Sequence, residues 1–269
     1  MTGTTWITFL TDYGLADQFV GVCHGVLARI APDARVLDVT HVVPPGDVRH
    51  GAEVLRQSIR YLPDGVHLAV VDPGVGTRRR AVVLVVGRNL FVGPDNGLLL
   101  WAADEIGGVD AAYELADPRF RLDNVSNTFH GRDVFAPAAA HLANGVAPAE
   151  MGPAVDPAAL VRPPPAIRRL DGDTLHGEML IEDRFGNLQT SLDSPLLAEA
   201  GLRVGDTLLL DTGHGRTVVP YVETFGSVGK GKPLAHLDSA DRLAFAVHLG
   251  SAADLLASHE GTTFRLRRA

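Results

Sequence analysis

Cysteine is all but missing from this 269-residue chain, where Cys23 stands alone. One thiol closes no intrachain disulfide and builds no Cys-x-x-Cys zinc site, so Cys23 reads as a small core residue of a redox-silent protein. Positive charge is short too: 24 Lys and Arg face 32 Asp and Glu, for a net charge of −8. That deficit argues against a nucleic-acid or acidic-membrane binder, whose phosphate contacts call for a basic face, and suits a neutral or cationic small molecule. No apolar run reaches the length of a membrane span, and residues 1–6 carry neither a basic n-region nor an apolar h-region, so a cytoplasmic location is expected. The GxGxxG and GxxxxGK[ST] patterns are absent around Gly74 and Gly76, so neither a dinucleotide nor an NTP phosphate cradle is indicated. His24, His41, His50, His67, His214 and His248 show no HExxH-like spacing, and no metal is expected.

What is present is a core. With 46% hydrophobic and 21% charged residues the chain can bury one large or two smaller domains. Short apolar runs at 6–10, 36–39, 67–71, 81–86 and 91–92 read as strands. Between and after them, helical spacing appears at 17–30 with Asp17 as cap, from Asp47 through Ile59, up to Ala103, and over 133–144. This alternation predicts an α/β layer sandwich with a largely parallel sheet over residues 1–152. Six prolines between 147 and 166 predict a stiff linker, placed at 153–166. Short β-type runs at 175–181, 188–192, 207–210, 217–221, 233–237 and 243–248 then predict a smaller antiparallel, barrel-like β domain over 167–269.

Polar residues gather at the corners of the first domain: Thr11-Asp12, Asp72 with Arg79, Asp95-Asn96, and the stretch from Asn127 to Asp133. In a parallel sheet the first three lie at carboxyl ends of strands, where open α/β sheets bind their ligands. Asp, Arg and His together can orient a water, relay its proton and steady charge. Each also has a structural reading: Asp12 as a turn cap, Arg79 as one of three solvated arginines, His130 as a loop histidine, Asp133 as an N-cap.

Five motifs in order, Thr8-Phe9-Leu10-Thr11-Asp12-Tyr13-Gly14, Val71-Asp72-Pro73-Gly74-Val75-Gly76-Thr77, Gly93-Pro94-Asp95-Asn96-Gly97, Thr128-Phe129-His130-Gly131-Arg132-Asp133 and Asp183-Arg184-Phe185-Gly186-Asn187, resemble the S-adenosylmethionine hydroxide adenosyltransferase family, related to the fluorinases and chlorinases. The resemblance covers essentially the whole chain. It implies a catalytic set of Asp72, Arg79 and His130, with Asp12 on the ribose hydroxyls, Asp183 on the methionine ammonium, Asn187 on the adenine edge, Ser239 on the methionine carboxylate and backbone around Val247 lining the adenine pocket. It further implies a homotrimer with active sites between subunits, and no metal or organic cofactor. Where the halogenases have a tyrosine and a serine in the halide pocket, this chain has Asp72 and Gly131, and the fluorinases' extra loop is absent. A carboxylate repels a halide, so hydrolysis of S-adenosylmethionine by water or hydroxide is expected, with Asp72 and His130 sharing the water's proton. The alternatives are a halogenase, a non-catalytic adenosine binder, and a metal-dependent hydrolase using Asp12, Asp72 and His130.

Overall fold

Branched apolar runs too short for helices form the strands of the first of two units, which meet at Pro163 and Pro164 in this computed structural model. The structure describes residues 5–269; residues 1–4, which head the expected domain 1–152 and the N-terminus read as leader-free, lie outside the described residues. The strands are β1 (Trp6–Thr11), β2 (Arg35–Thr40), β3 (Gly65–Val70), β4 (Ala81–Val86), β5 (Asn89–Pro94), β6 (Ala111–Glu114) and β7 (Ala154–Val155), arranged β2-β1-β3-β5-β4-β6-β7. From β2 to β5 the pairing is parallel, and β4, β6 and β7 are added antiparallel. Because β6 opposes β4, it points with β5 again, so five of the seven strands run one way.

Helices α1 (Phe19–Ile30), α2 (Val48–Ser58), α3 (Leu100–Glu105) and α4 (Ala136–Ala143) cover the sheet. Side chains alternate along and just past β3. Leu68 and Val70 pack with Cys23, Leu27 and Ala139, whereas Ala69 and Val71 pack with Leu55, Leu98 and Ala103. A strand buried on both faces needs apolar residues at every position, which is why these runs are continuous. Three parallel neighbours, β1, β3 and β5, therefore end together and deliver Asp12, Asp72 and Asp95 to one edge. β4 begins at that same edge, with Ala81 opposite Pro94, and so brings Arg79 and Arg80 to it.

The second unit holds β8 (Arg169–Asp171), β9 (Thr174–Glu182), β10 (Leu188–Asp193), β11 (Thr207–Asp211), β12 (Arg216–Pro220), β13 (Pro233–Leu237), β14 (Arg242–Val247) and β15 (Thr263–Arg268). Their order is β12-β11-β15-β9-β10-β14-β13, antiparallel throughout, with β8 beside β9. Val222 N donates to Ala235 O at 2.9 Å, which ties the chain leaving β12 to β13 at the other end of the row. The sheet thereby curls toward a barrel around Leu175, Leu188, Leu208, Phe245 and Leu266. Two short helices, α5 (Ser194–Glu199) and α6 (Ala252–Leu256), are capped by Asp193 and Ser251.

Three local expectations change. Within 153–166 the chain is fastened to the first unit: β7 pairs with β6, and Val161 N donates to Asp95 Oδ1 at 2.8 Å. Helix α1 begins at Phe19 behind Gln18, without a side-chain cap from Asp17. The helix expected over 133–144 opens with a π turn, Gly131–Phe135, before α4. Pro137 has no N–H to give the Asp133 carbonyl, which accepts from Leu122 N at 2.9 Å instead, while Ala136 N bonds five residues back to Gly131 O.

Candidate active site

Asp72 lies two residues past β3 in a loop folded on itself: Val75 N donates to Asp72 O at 3.2 Å and Thr77 Oγ1 to Gly74 O at 2.7 Å. Asn96 Nδ2 holds the preceding carbonyl, Val71 O, at 2.8 Å. Gly76, at φ +75°, sits so close to the next loop that a Cβ would come within 2.3 Å of Asn127 O. The loop carrying Asp72 and the loop leading to His130 are thus pressed together, and glycine is required at the contact.

Arg79 reaches back across this turn. Its Nε donates to both Asp72 oxygens, at 2.8 and 3.0 Å, its Nη2 donates to Asp72 Oδ2, and the same Nη2 lies 2.9 Å from His130 Nδ1. The guanidinium rests 5.0 Å from the centroid of the fully buried Phe135 ring. Arginine has no lone pair to offer, so His130 must accept at Nδ1 and carry its own proton on Nε2. Burial and the neighbouring Arg79 charge hold the His130 pKa below the usual imidazole value, against the pull of Asp72. A neutral His130 with a proton on Nε2 donates rather than accepts there. That tautomer does not fit the expectation that His130 shares in taking the water's proton, because its outward nitrogen is a donor.

Asp12 stands beside them. Its Oδ2 accepts from Gly46 N at 2.8 Å, and burial raises its pKa, with the Asp72 charge adding to the effect. Asp95 and Asn96, the third polar corner, have structural partners: Asp95 pairs with Arg80 and Val161 N, and Asn96 with Val71 O. Asp133 is fully buried and held by Arg132 and Ser126 N, so it organises the loop.

The matched profiles cover most of the chain: the SAM hydroxide adenosyltransferase N-terminal domain over residues 7–152 and the corresponding C-terminal domain over 177–265. The chain belongs to the SAM hydroxide adenosyltransferase family. Among its relatives, an "(R)-S-adenosyl-L-methionine hydrolase" of Salinispora arenicola is 54% identical over 99% of both chains. One of Thermus thermophilus is 44% identical over 97% of this chain and 98% of its own. A fluorinase of Actinoplanes sp. is more distant, 30% identical over 91% of each chain. A crystal structure of an uncharacterized conserved protein from Thermotoga maritima superposes with a TM-score of 0.91 at 37% identity, covering 97% of this chain and all of the other.

The remaining residues implied by the adenosyltransferase resemblance lie in the second unit. Asp183 and Asn187 face each other across the β9–β10 turn, with Asn187 Nδ2 donating to Asp183 Oδ2 at 2.8 Å and Asn187 N to Oδ1 at 3.0 Å. Ser239 is exposed in the β13–β14 turn, which Asp238 Oδ1 shapes by accepting from Ala240 N at 2.8 Å and Arg242 N at 3.0 Å. Val247 ends β14, nearly buried, at the strand end that lies beside the Asn187 turn. Two residues that touch this candidate site escaped the reading of roles from sequence. Phe135 was visible only as a core position, and Tyr13 only as part of a motif. A Cβ on Gly131 would fall 1.9 Å from the Tyr13 hydroxyl, and burial raises the Tyr13 pKa so far that it stays a phenol.

Proposed function

We propose that this chain hydrolyses S-adenosyl-L-methionine to adenosine and L-methionine. The observation that carries the reading is the unbroken chain of bonds from Asp72 through Arg79 to His130. A sulfonium leaves as a neutral thioether, so departure of methionine needs no acid; what the reaction lacks is a nucleophile. Water binds in line with the C5′–S bond, donates one hydrogen to the Asp72 carboxylate and accepts from His130 Nε2–H. As its oxygen forms the bond to C5′ and the C5′–S bond breaks, its proton passes to Asp72. Arg79 fixes both partners and gives no proton. General-base assistance of this kind is worth roughly 10²–10⁴ in rate, and alignment adds to it.

Halogenation is disfavoured by charge and space. The Asp72 carboxylate repels a halide, and the Tyr13 hydroxyl fills the volume a side chain at position 131 would use. In this reading Asp12 holds the ribose, Asp183 the ammonium, Asn187 the adenine edge and Ser239 the methionine carboxylate, with Val247 backbone against adenine. The assembly that goes with it is a homotrimer in which a neighbouring copy completes each site, and the setting is the cytoplasm. Among the described residues, no helix is long and apolar enough to cross a membrane. The test is incubation with S-adenosylmethionine in ¹⁸O-labelled water with chloride present. The expected product is adenosine labelled at the 5′-hydroxyl; unlabelled adenosine, 5′-chloroadenosine or no turnover overturns the proposal.

A further inference from the structure

Away from Asp72 and His130, three ligand-type side chains meet that sequence spacing did not connect. His24 lies on α1, Asp38 on β2 and His41 just past β2. Pairing of β1 with β2, under the cover of α1, brings them together. His24 Nε2 is 2.9 Å from Asp38 Oδ1, His41 Nε2 is 3.1 Å from the same oxygen, and the three ligand atoms lie within 4.8 Å of one another. The Phe9 ring packs against both imidazoles, with centroids 5.9 Å from His24 and 4.8 Å from His41.

His41 decides the reading. It is only 4% exposed, and its Nε2 is buried with no hydrogen-bond partner among the described residues despite the carboxylate 3.1 Å away. A ring N–H aimed at Asp38 would make that bond. A bare lone pair there would face a carboxylate oxygen at a repulsive distance unless a cation stood between them. Two ligand atoms about 3 Å apart share a metal at roughly 2.0–2.2 Å only if the metal sits off the line joining them; His41 Nε2 and Asp38 Oδ1 are so disposed, whereas His24 Nε2 is hydrogen-bonded to that oxygen through a proton that a metal would displace. On its far side, His41 Nδ1 lies 2.9 Å from Thr11 Oγ1. A proton on Nδ1 donated to Thr11 leaves Nε2 free to ligate, the outer-shell arrangement usual for metal-bound histidine.

We propose that His24 Nε2, Asp38 Oδ1 and His41 Nε2 bind one divalent transition metal of the zinc class. Two neutral imidazoles and one carboxylate suit zinc, cobalt or nickel and give magnesium and calcium too few oxygens. The His24 and Asp38 side chains are 34% and 44% exposed, which leaves the outer face open to water as a fourth ligand. The bound metal would clamp α1 to β2 and, through Thr11, the residue that precedes Asp12. The proposal stands on this geometry alone and is independent of the hydrolase reading.

Full-length protein stripped with chelator and titrated with Zn²⁺ and with Co²⁺ tests it, read by metal stoichiometry after dialysis, the Co²⁺ visible spectrum and Tm. One equivalent is expected in wild type, with a Zn²⁺-dependent rise in Tm. His24→Gln and Asp38→Asn, both at the surface, should each weaken binding by about 100-fold or more, since even outer-shell partners are worth 10–100-fold, and should abolish the rise in Tm. Absence of stoichiometric binding in wild type, or unchanged affinity in both variants, overturns the proposal.

Discussion

Arg79 shares its donors between a carboxylate and an imidazole, and only a planar fork with several fixed N–H groups serves both at once. Arg79→Lys keeps the charge but offers one compact ammonium in place of that fork. Lost alignment should lower kcat by about 10²-fold, with adenosine affinity little changed; a lysine variant as fast as wild type would show that only charge matters. Asp72→Asn removes the proposed proton acceptor while keeping its shape, and kcat should fall by roughly 10²–10⁴. His130 gives the pH dependence its sign. Its neutral form accepts from Arg79 at Nδ1, and protonation would set a cation against the guanidinium. With a pKa held below 6.5 by burial and by Arg79, activity should be full near neutrality and fall only below about 6.5 as the ring gains its proton. The acid limb should shift or vanish in His130→Asn; an unchanged limb would assign it to another group.

At the scale of elements, the site depends on two loops that touch through a glycine. Gly76→Ala places a Cβ 2.3 Å from Asn127 O at a positive φ, and strain on the order of 1–3 kcal/mol should spread the Asp72 loop from the His130 loop. Tm and kcat should fall together. Loss of stability with full kcat would show that the contact supports the fold and not the site. The strands that frame these loops were legible because each is a continuous apolar run closed by Asp, Gly or Pro. β7 was not, since two residues in a proline-rich stretch carry no period. β15 was missed because Arg265 and Arg267 alternate with the buried Phe264 and Leu266, and a charged outer face hides its apolar half. The π turn after His130 left no periodic trace, although Pro137 marks where an α-helical bond must fail. Motif order singled out Asp72, Arg79 and His130, and the structure bonds the three to one another. The contacts of Tyr13 and Phe135 were not, because they depend on which side chains the sheet edge brings face to face.

At the scale of the whole molecule, each unit carries its own core: the apolar clusters built on β3 and β4 lie in residues before Pro164, and the cluster around Phe245 lies after it. A unit that buries its own apolar surface can fold on its own. Fragments 1–163 and 164–269 should therefore each give a cooperative melt, the second with a β-rich circular dichroism spectrum. The proposed catalytic set Asp72, Arg79 and His130 belongs to the first fragment, whereas the side chains read as holding methionine and adenine belong to the second. Neither fragment alone should release methionine from S-adenosylmethionine, and mixing them should restore some turnover if the reading of both halves is right. Methionine release by fragment 1–163 alone, at the rate of the full chain, would remove Asp183, Asn187 and Ser239 from the site.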